Sequence, residues 1–407
     1  MFIQLSLIET QSIILSSVKF KANFKEFLVR IRIKEYKMIY HQIRAESLND
    51  IVYSAIKEIM KSGIQMNTRN GEARALYNVD LILTNPRSRH LCLRGRTNNI
   101  FGTLGEMFWV MAGQKEISPH LEFFVPRAKN YSDDGKTWNA SYGDRLWNYG
   151  QFDHIFKMFE EDGLYTRRAT QSIFFPGYDT YKEYKEREGT MKDIPCNQWI
   201  NYFVIPEGET NKLYMKVCQR SGDIIFGTGN INIPEFTLMQ EMVLSVLKKM
   251  YPDQNLELGD YIQSVSNLHL YDMTLKQGVD ITGQAQIDLI ADSKKDNLGI
   301  KFPSFRYIFS AFSVLYDFQV RKIQGHNVLS YSAKEIFSKA GFEVEDNLLF
   351  FYFQLVDWYI TATKAGYDKN NKMILNDSDK TILKEIAIKT PGLYNSVVNS
   401  GFRNFEV

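Results

Sequence analysis

Near residue 280 the sequence changes its hydrophobic period, which limits the chain to a mixed body followed by a helical one. Before that point, helix-like spacing and strand-like alternation take turns. ESLNDIVYSAIKEIMKSG, from Glu46, puts Ile51, Ala55, Ile56 and Ile59 on one helical face, with Asn49 or Ser47 as cap and Gly63 as stop. The polar turn at TRNGEAR runs into an alternating strand, and residues 98–113 predict a buried helix ending at Gly113. Residues 127–147 read as a loop rich in Asn, Asp and Gly. Helices are expected over 151–163 and 234–250, the second opened by Pro234, and strands over 167–175, 198–206, 212–218 and 260–272. After 280 the strongest periods, SFRYIFSAFSVLYDF and NLLFFYFQLVDWYITATKAGY, are helical. Residues 1–45 carry no chemical motif.

Composition removes several function classes. At 407 residues the chain exceeds the usual single domain, and 44% hydrophobic with 24% charged residues is ordinary globular chemistry. Lys and Arg number 49 against 47 Asp and Glu, so no global basic field attracts nucleic acid, and none is expected as a partner. No uncharged apolar run reaches the roughly 18 residues that span a bilayer, so no membrane partner is expected. Three cysteines without a C-x-x-C pair, and six scattered histidines, give no metal-ligand pattern. MFIQLSLIETQSIILSS lacks a basic start and contains Glu9, so it does not read as a signal peptide. A reducing cytoplasm is the expected location.

Individual residues then suggest chemistry, each with a plainer reading beside it. Cys196 after Pro195 is a possible nucleophile if something stabilises its thiolate, although most intracellular cysteines simply pack. Gln219-Arg220-Ser221-Gly222-Asp223, with Gly227 and Asn232 beyond, offers a planar fork and a hydroxyl for an anion, or only a strand-end turn with a surface ion pair. Arg167 and Arg168 on a strand point to opposite faces, so one site would use both only at a bend or a subunit boundary. His269 and Tyr271, two apart on a strand, share a face and suit a sugar hydroxyl as well as they suit a core. Glu106 lies inside an apolar helix, where a carboxyl is costly unless it has work to do.

Taken in order, these blocks resemble the thymidylate synthase family. The resemblance runs from Glu106-Met107-Phe108-Trp109 with Gly113, through Tyr142-Gly143, Arg167-Arg168 and Pro195-Cys196 with Asn201-Tyr202-Phe203-Val204. It continues through Gln219-Arg220-Ser221-x-Asp223 with Gly227 and Gly259-Asp260 to His269-x-Tyr271, covering roughly residues 48 to 275.

The resemblance implies an α/β (α+β) fold, a curved mixed sheet backed by helices, plus a helix-rich C-terminal extension. Residues 1–45 would be an N-terminal extension, 46–280 the catalytic domain and 281–407 a helical extension of unassigned role. It implies transfer of a one-carbon unit from 5,10-methylenetetrahydrofolate to C5 of a uracil nucleotide, dUMP to dTMP, without a metal. Cys196 would add to C6, and Glu106 and Tyr142 would manage proton transfers. Arg69, Gln219, Arg220 and Ser221 would hold the nucleotide with Arg220 gripping phosphate, and His269 and Tyr271 would hold the sugar. Arg167 and Arg168 would reach the phosphate of a neighbouring subunit, which implies a homodimer. Asp223 and Gly227 would contact the folate. Asn232 would read the base, because an amide accepts from N3–H and donates to O4 of uracil; Asn230 is a second candidate.

The departures bear on the product. Asn197 stands where the family has histidine after the cysteine. The loop 127–138 lacks the family's early tryptophan and offers Tyr131 and Trp138. Relatives without that indole tend toward hydroxymethyl products. The usual C-terminal segment is replaced, with Val407 as a possible closing tail. A 5-hydroxymethylase acting on dUMP, dCMP or a ribonucleotide is therefore the alternative to the methylase, and a non-catalytic nucleotide-binding homologue a remote third.

Overall fold

The computed structural model describes residues 40–400 apart from 97–98, 187–191, 327–330 and 366–374. Nearly all of the expected N-terminal extension, and Val407, lie outside the described residues. From His41 onward the chain packs as one unit.

Its centre is a mixed sheet ordered β1-β3-β8-β6-β5-β4, with β2 on β3 and β7 on β8. β1 is His41–Ala45, β2 Ile64–Thr68 and β3 Gly71–Leu83. β4 is Thr170–Ser172, β5 Asn197–Glu207 and β6 Thr210–Gln219; β7 is Gly222–Asp223 and β8 Leu256–Tyr271. β6 runs parallel to β8, while β3 and β5 run antiparallel to their neighbours β8 and β6. The ends of β6 and β8 therefore meet the starts of β3 and β5 at one end of the sheet, where most of the expected site residues fall. The period-two pattern selects the buried face: Ile200, Tyr202, Val204, Leu213, Met215, Val217 and Tyr261 are buried, while Trp199, Phe203 and Tyr214 on the other face are partly exposed.

Two helices cover the buried face. Leu48–Ser62 is capped by the Ser47 side chain, which accepts from Asp50 N, so Ser47 rather than Asn49 is the cap. Ile233–Met250 begins with Pro234 in its first turn, and Gln240 Nε2 donates to Leu213 O at 2.9 Å and Gly259 O at 3.1 Å. The strand expected over 167–175 is cut to Thr170–Ser172. Arg168 lies ahead of it, its fork on Asp162, and a helical turn from Pro176 follows.

The Glu106 helix, Ile100–Met111, is buried along its whole length because it is covered on two sides. Thr103 Oγ1 donates to Asn230 O at 3.3 Å, on the turn before Ile233. Elsewhere Phe108 meets Phe312 at 6.2 Å and Phe353 at 5.8 Å, from the helices Phe305–Gln324 and Leu348–Ala365. The C-terminal helices thus share one apolar core with the sheet body. Among the described residues no helix is long and apolar enough to cross a membrane.

Candidate active site

The site is assembled by the sheet end. Cys196 immediately precedes β5 and Arg220 immediately follows β6, so the Arg220 N–H donates to Cys196 O at 2.9 Å. The Arg220 guanidinium folds back on the same loop, Nε donating to Pro195 O at 3.0 Å and Nη2 to Ile194 O at 2.8 Å. Arg69 reaches that loop from the β2–β3 turn, with Nη2 at 3.5 Å from Lys192 O. Gly71, at φ +111°, makes this turn possible. The neighbouring Asn70 Nδ2 lies 3.4 Å from the Tyr271 hydroxyl, bringing the turn to the end of β8. β7 pairs Asp223 with His269, and Ile224 N donates to His269 O at 3.0 Å. His269 Nδ1 is 3.0 Å from Asn267 Oδ1, while its buried Nε2 has no partner among the described residues.

Burial pushes the Cys196 thiol pKa up, while the charges of Arg220 and Arg69 pull it down and Asp193 pushes it further up. The expected arginine assistance is present, but burial outweighs it. Burial also raises Tyr142, with the Cys196 charge as the next contribution, so the phenol and thiol lie within electrostatic reach. Tyr142 is held from two sides. Its ring stacks on Phe236 with centroids 5.7 Å apart, and its hydroxyl accepts from Asn197 Nδ2 at 2.9 Å. Gly143 is required next to it, because a Cβ there would lie 2.2 Å from Val110 O.

Asn197 is fully buried and occupied at both ends of its amide: Gln263 Nε2 donates to its Oδ1 at 2.9 Å, and the Tyr261 hydroxyl donates to Gln263 Oε1. The residue that replaces the family's histidine therefore holds Tyr142 in place. Asp193 ties the same parts together from below, accepting from the backbone N–H groups of Asn139 and Ala140 (3.1 Å for Ala140). Burial pushes its carboxyl up to about 7.

Of the two candidate amides, Asn232 and Asn230, the first lies at the Arg220 strand end. Its Oδ1 accepts from Gln219 Nε2 at 3.0 Å, and Thr228 Oγ1 donates to Gln219 Oε1 at 2.9 Å, so Asn232 is fixed beside the Arg220 strand end. Asn230 instead lines a small cavity with His90 and Leu104. Asp223 Oδ1 accepts from Ile225 N at 2.8 Å, and burial pushes its carboxyl up to about 6 against the pull of Arg96. A Cβ on Gly227 would meet nothing closer than 3.7 Å. Ser221 is partly buried in the turn before β7.

Glu106 is 8% exposed and burial pushes its carboxyl up to about 7. Its Oε2 is buried with no partner among the described residues. The sequence reading missed Glu235, which is 2% exposed with both carboxyl oxygens buried and unpartnered. Burial and then the Glu106 charge push Glu235 well above the usual carboxylate range. In sequence it looked like an ordinary first-turn acid, and only the uninterrupted burial of the following turns signals otherwise.

Arg167 and Arg168 are not brought into this pocket. Thr170 pairs with Asn201, which puts Arg168 some seven strand positions from Cys196, about 20 Å along β5. Trp138 packs on Trp109 with centroids 6.0 Å apart, and Tyr131 is exposed.

With this geometry in hand, the comparisons with known proteins decide the family. The family model described as thymidylate synthase matches residues 52–324. The chain belongs to the thymidylate synthase family. It is a one-carbon transferase of that family. It is 33% identical over 362 residues, 88% of this chain and 95% of the relative, to a deoxyuridylate hydroxymethyltransferase of Delftia phage PhiW-14. A protein with the same description from Bacillus phage SP01 is 28% identical over 228 residues, 53% of this chain and 55% of that one. A third, from Pseudomonas phage M6, is 26% identical over 238 residues, 58% and 63% of the two chains. Among the described residues no cluster of three or more His, Cys, Asp or Glu is placed to hold a metal ion.

Proposed function

We propose that this protein transfers a one-carbon unit from methylenetetrahydrofolate to C5 of dUMP and releases 5-hydroxymethyl-dUMP. The observation that carries the choice of product is the end-to-end similarity to a deoxyuridylate hydroxymethyltransferase. The fixed amide of Asn232 supports uracil, since it presents an acceptor to N3–H and a donor to O4.

In this reading Arg69, Arg220 and Ser221 bind the phosphate, and Gln219 orients Asn232 on the base. His269, through its unpartnered Nε2, and Tyr271 hold the sugar. Cys196 attacks C6, and the arginines near it lower the cost of its thiolate. Glu106 moves protons at the C4 oxygen, and Tyr142 assists loss of the C5 proton. Gly227, where a Cβ would lie 3.7 Å from the Asp223 backbone oxygen and from Asn232 Oδ1, lets the folate approach, with the buried Asp223 carboxyl accepting from its N–H groups. Bound there, the folate supplies the methylene carbon.

The protein works as a homodimer in this reading, in the cytoplasm where free nucleotides are found. The half-exposed sheet face with Trp199 (39% exposed), Phe203 and Tyr214 is the contact surface, and Arg167 and Arg168 serve the partner's phosphate site. Residues 46–280 supply the chemistry, 281–407 the supporting helical layer, and 1–45 a separate extension.

The test is the mass of the product formed from dUMP and methylenetetrahydrofolate, with dCMP and UMP in parallel. A product heavier than dUMP by CH2O, with no dihydrofolate formed, is expected. A gain of CH2 with dihydrofolate makes the enzyme a thymidylate synthase instead, and no product from any nucleotide makes it a binding protein.

A further inference from the structure

The hydroxymethylase reading requires a group that takes a proton from water, and Glu235 is placed for it. A first-turn acid normally faces solvent and steadies the helix N-terminus. Glu235 does neither: it is 2% exposed, and neither of its oxygens has a partner among the described residues. A carboxylate so placed destabilises the fold unless it is neutral or paired with a cation. Glu106, whose charge reaches Glu235, also has a buried Oε2 with no partner among the described residues. The two segments are in contact: Thr103, one turn before Glu106, donates to Asn230 O, and Thr103, Met107, Asn230 and Pro234 line one small cavity. Phe236, the next residue in the chain, stacks on the Tyr142 ring, and the Glu235 charge reaches the Tyr142 phenol.

We propose that Glu235 is the base for the water that turns the exocyclic methylene of the nucleotide into a hydroxymethyl group, with Glu106 as the partner that shares its proton. This rests on the hydroxymethylase reading above. Two buried carboxyls this close do not both ionise, so once Glu106 has ionised the pair keeps a single proton; it shifts from Glu235 to Glu106 as Glu235 accepts the proton of water. After the folate has left, C5 of the nucleotide carries a double-bonded CH2 and C6 still carries the Cys196 sulfur. The water oxygen bonds to the CH2 carbon while one of its O–H bonds breaks, and the proton passes to Glu235. The electron pair of the double bond moves onto the ring as an enolate. The enolate then re-forms C5=C6 as the C6–S bond breaks, which returns the Cys196 thiolate. Nothing is oxidised or reduced. A methyl product would need a hydride at the same carbon, and the carboxyl pair would then have no water to activate.

The test separates early from late steps. Tritium release from 5-tritiated dUMP reports loss of the C5 proton, and formation of 5-hydroxymethyl-dUMP reports the water step. In Glu235→Gln the second rate falls about 100-fold or more, whereas tritium release stays within about fivefold of wild type. Added 2-mercaptoethanol then intercepts the methylene as a thioether of the nucleotide. Glu235→Ser gives the same split if the glutamine variant does not fold, and dUMP binding by calorimetry checks that the pocket is intact. Parallel loss of both rates, or loss of neither, overturns the role of Glu235. If wild type yields thymidylate with dihydrofolate, the hydroxymethylase reading fails at that point, before any variant is compared.

Discussion

Two buried polar clusters lie near the Glu106 helix, and they differ in whether their acids are paired. In the first, the acids are paired, although Arg89 Nε and Nη1 are buried without a partner among the described residues. Glu241 accepts from Arg87 Nε at 2.8 Å and from Arg89 Nη2. Asp296 binds His90 Nδ1 at 2.5 Å and accepts from Gly392 N at 2.8 Å, while Tyr352 lies 2.6 Å from His90 Nε2. Ser396 and Asn399 donate to Leu91 O and Cys92 O. This cluster fastens segment 85–94 to the C-terminal helices. In the second cluster, Glu106 and Glu235 have unpartnered oxygens and His269 an unpartnered nitrogen. A paired cluster contributes structure; an unpaired one spends stability to keep groups ready for a ligand.

The largest effect that would break this contrast is on turnover. Cys196→Ala is expected to reduce tritium release by more than about a thousandfold while leaving the thermal midpoint nearly unchanged. If activity survives, the second cluster is not a reaction site. Next in size is Asp296→Ala in the paired cluster. It strips a buried partner from His90 and is expected to cost about 3–5 kcal/mol in denaturant unfolding. The rate per folded molecule should be unchanged.

Mixing sharpens the subunit question. Cys196→Ala and Arg168→Ala are each expected to be inactive or weak, and a refolded mixture should recover about a quarter of wild-type activity, because one site in each mixed dimer is intact. No recovery would place Arg168 outside the site.

The smallest effect per group is in pH dependence. Glu106, with a pKa of about 7, and Asp193, also at about 7, bind protons in the folded chain that they release when unfolded near the usual carboxylate values. Their contribution is complete below about pH 4 and is lost as pH rises through 7. Each of the two groups should thus cost the unliganded protein on the order of 2–3 kcal/mol between pH 5 and 8. Glu106→Gln should lose less over the same range, while its turnover falls because the proton carrier is gone. An equal slope in both proteins would mean that Glu106 is not a buried titrating group.

The placement of several candidate residues was readable before the fold. Cys196, Arg220, Asp223, His269 and Tyr271 sit at strand ends, and the parallel pairing of β6 with β8 brings those ends together. The helices at 48–62 and 233–250 carry their signals locally, in caps and a first-turn proline. What escaped depends on distant partners. Glu235 differs from any helix-starting acid only in what covers it. Asn197 at the histidine position read only as a departure bearing on the product, yet Gln263, 66 residues away, fixes it as the support for Tyr142. The strand from 167 was over-read because Arg168 turns to Asp162 instead of joining β5. The paired cluster was invisible because His90 and Asp296 are 206 residues apart.

The central claim is that the Cys196 sulfur bonds to C6 of a uracil nucleotide in a pocket that also receives a folate. Intact-protein mass spectrometry after incubation with 5-fluoro-dUMP and methylenetetrahydrofolate tests it most directly, because fluorine at C5 blocks proton loss and stops the reaction with the adduct in place. A stable gain equal to nucleotide plus folate is expected, mapped by peptide digestion to Cys196 and absent in Cys196→Ala. An unmodified chain, or an adduct on Cys92 or Cys218, would contradict the account.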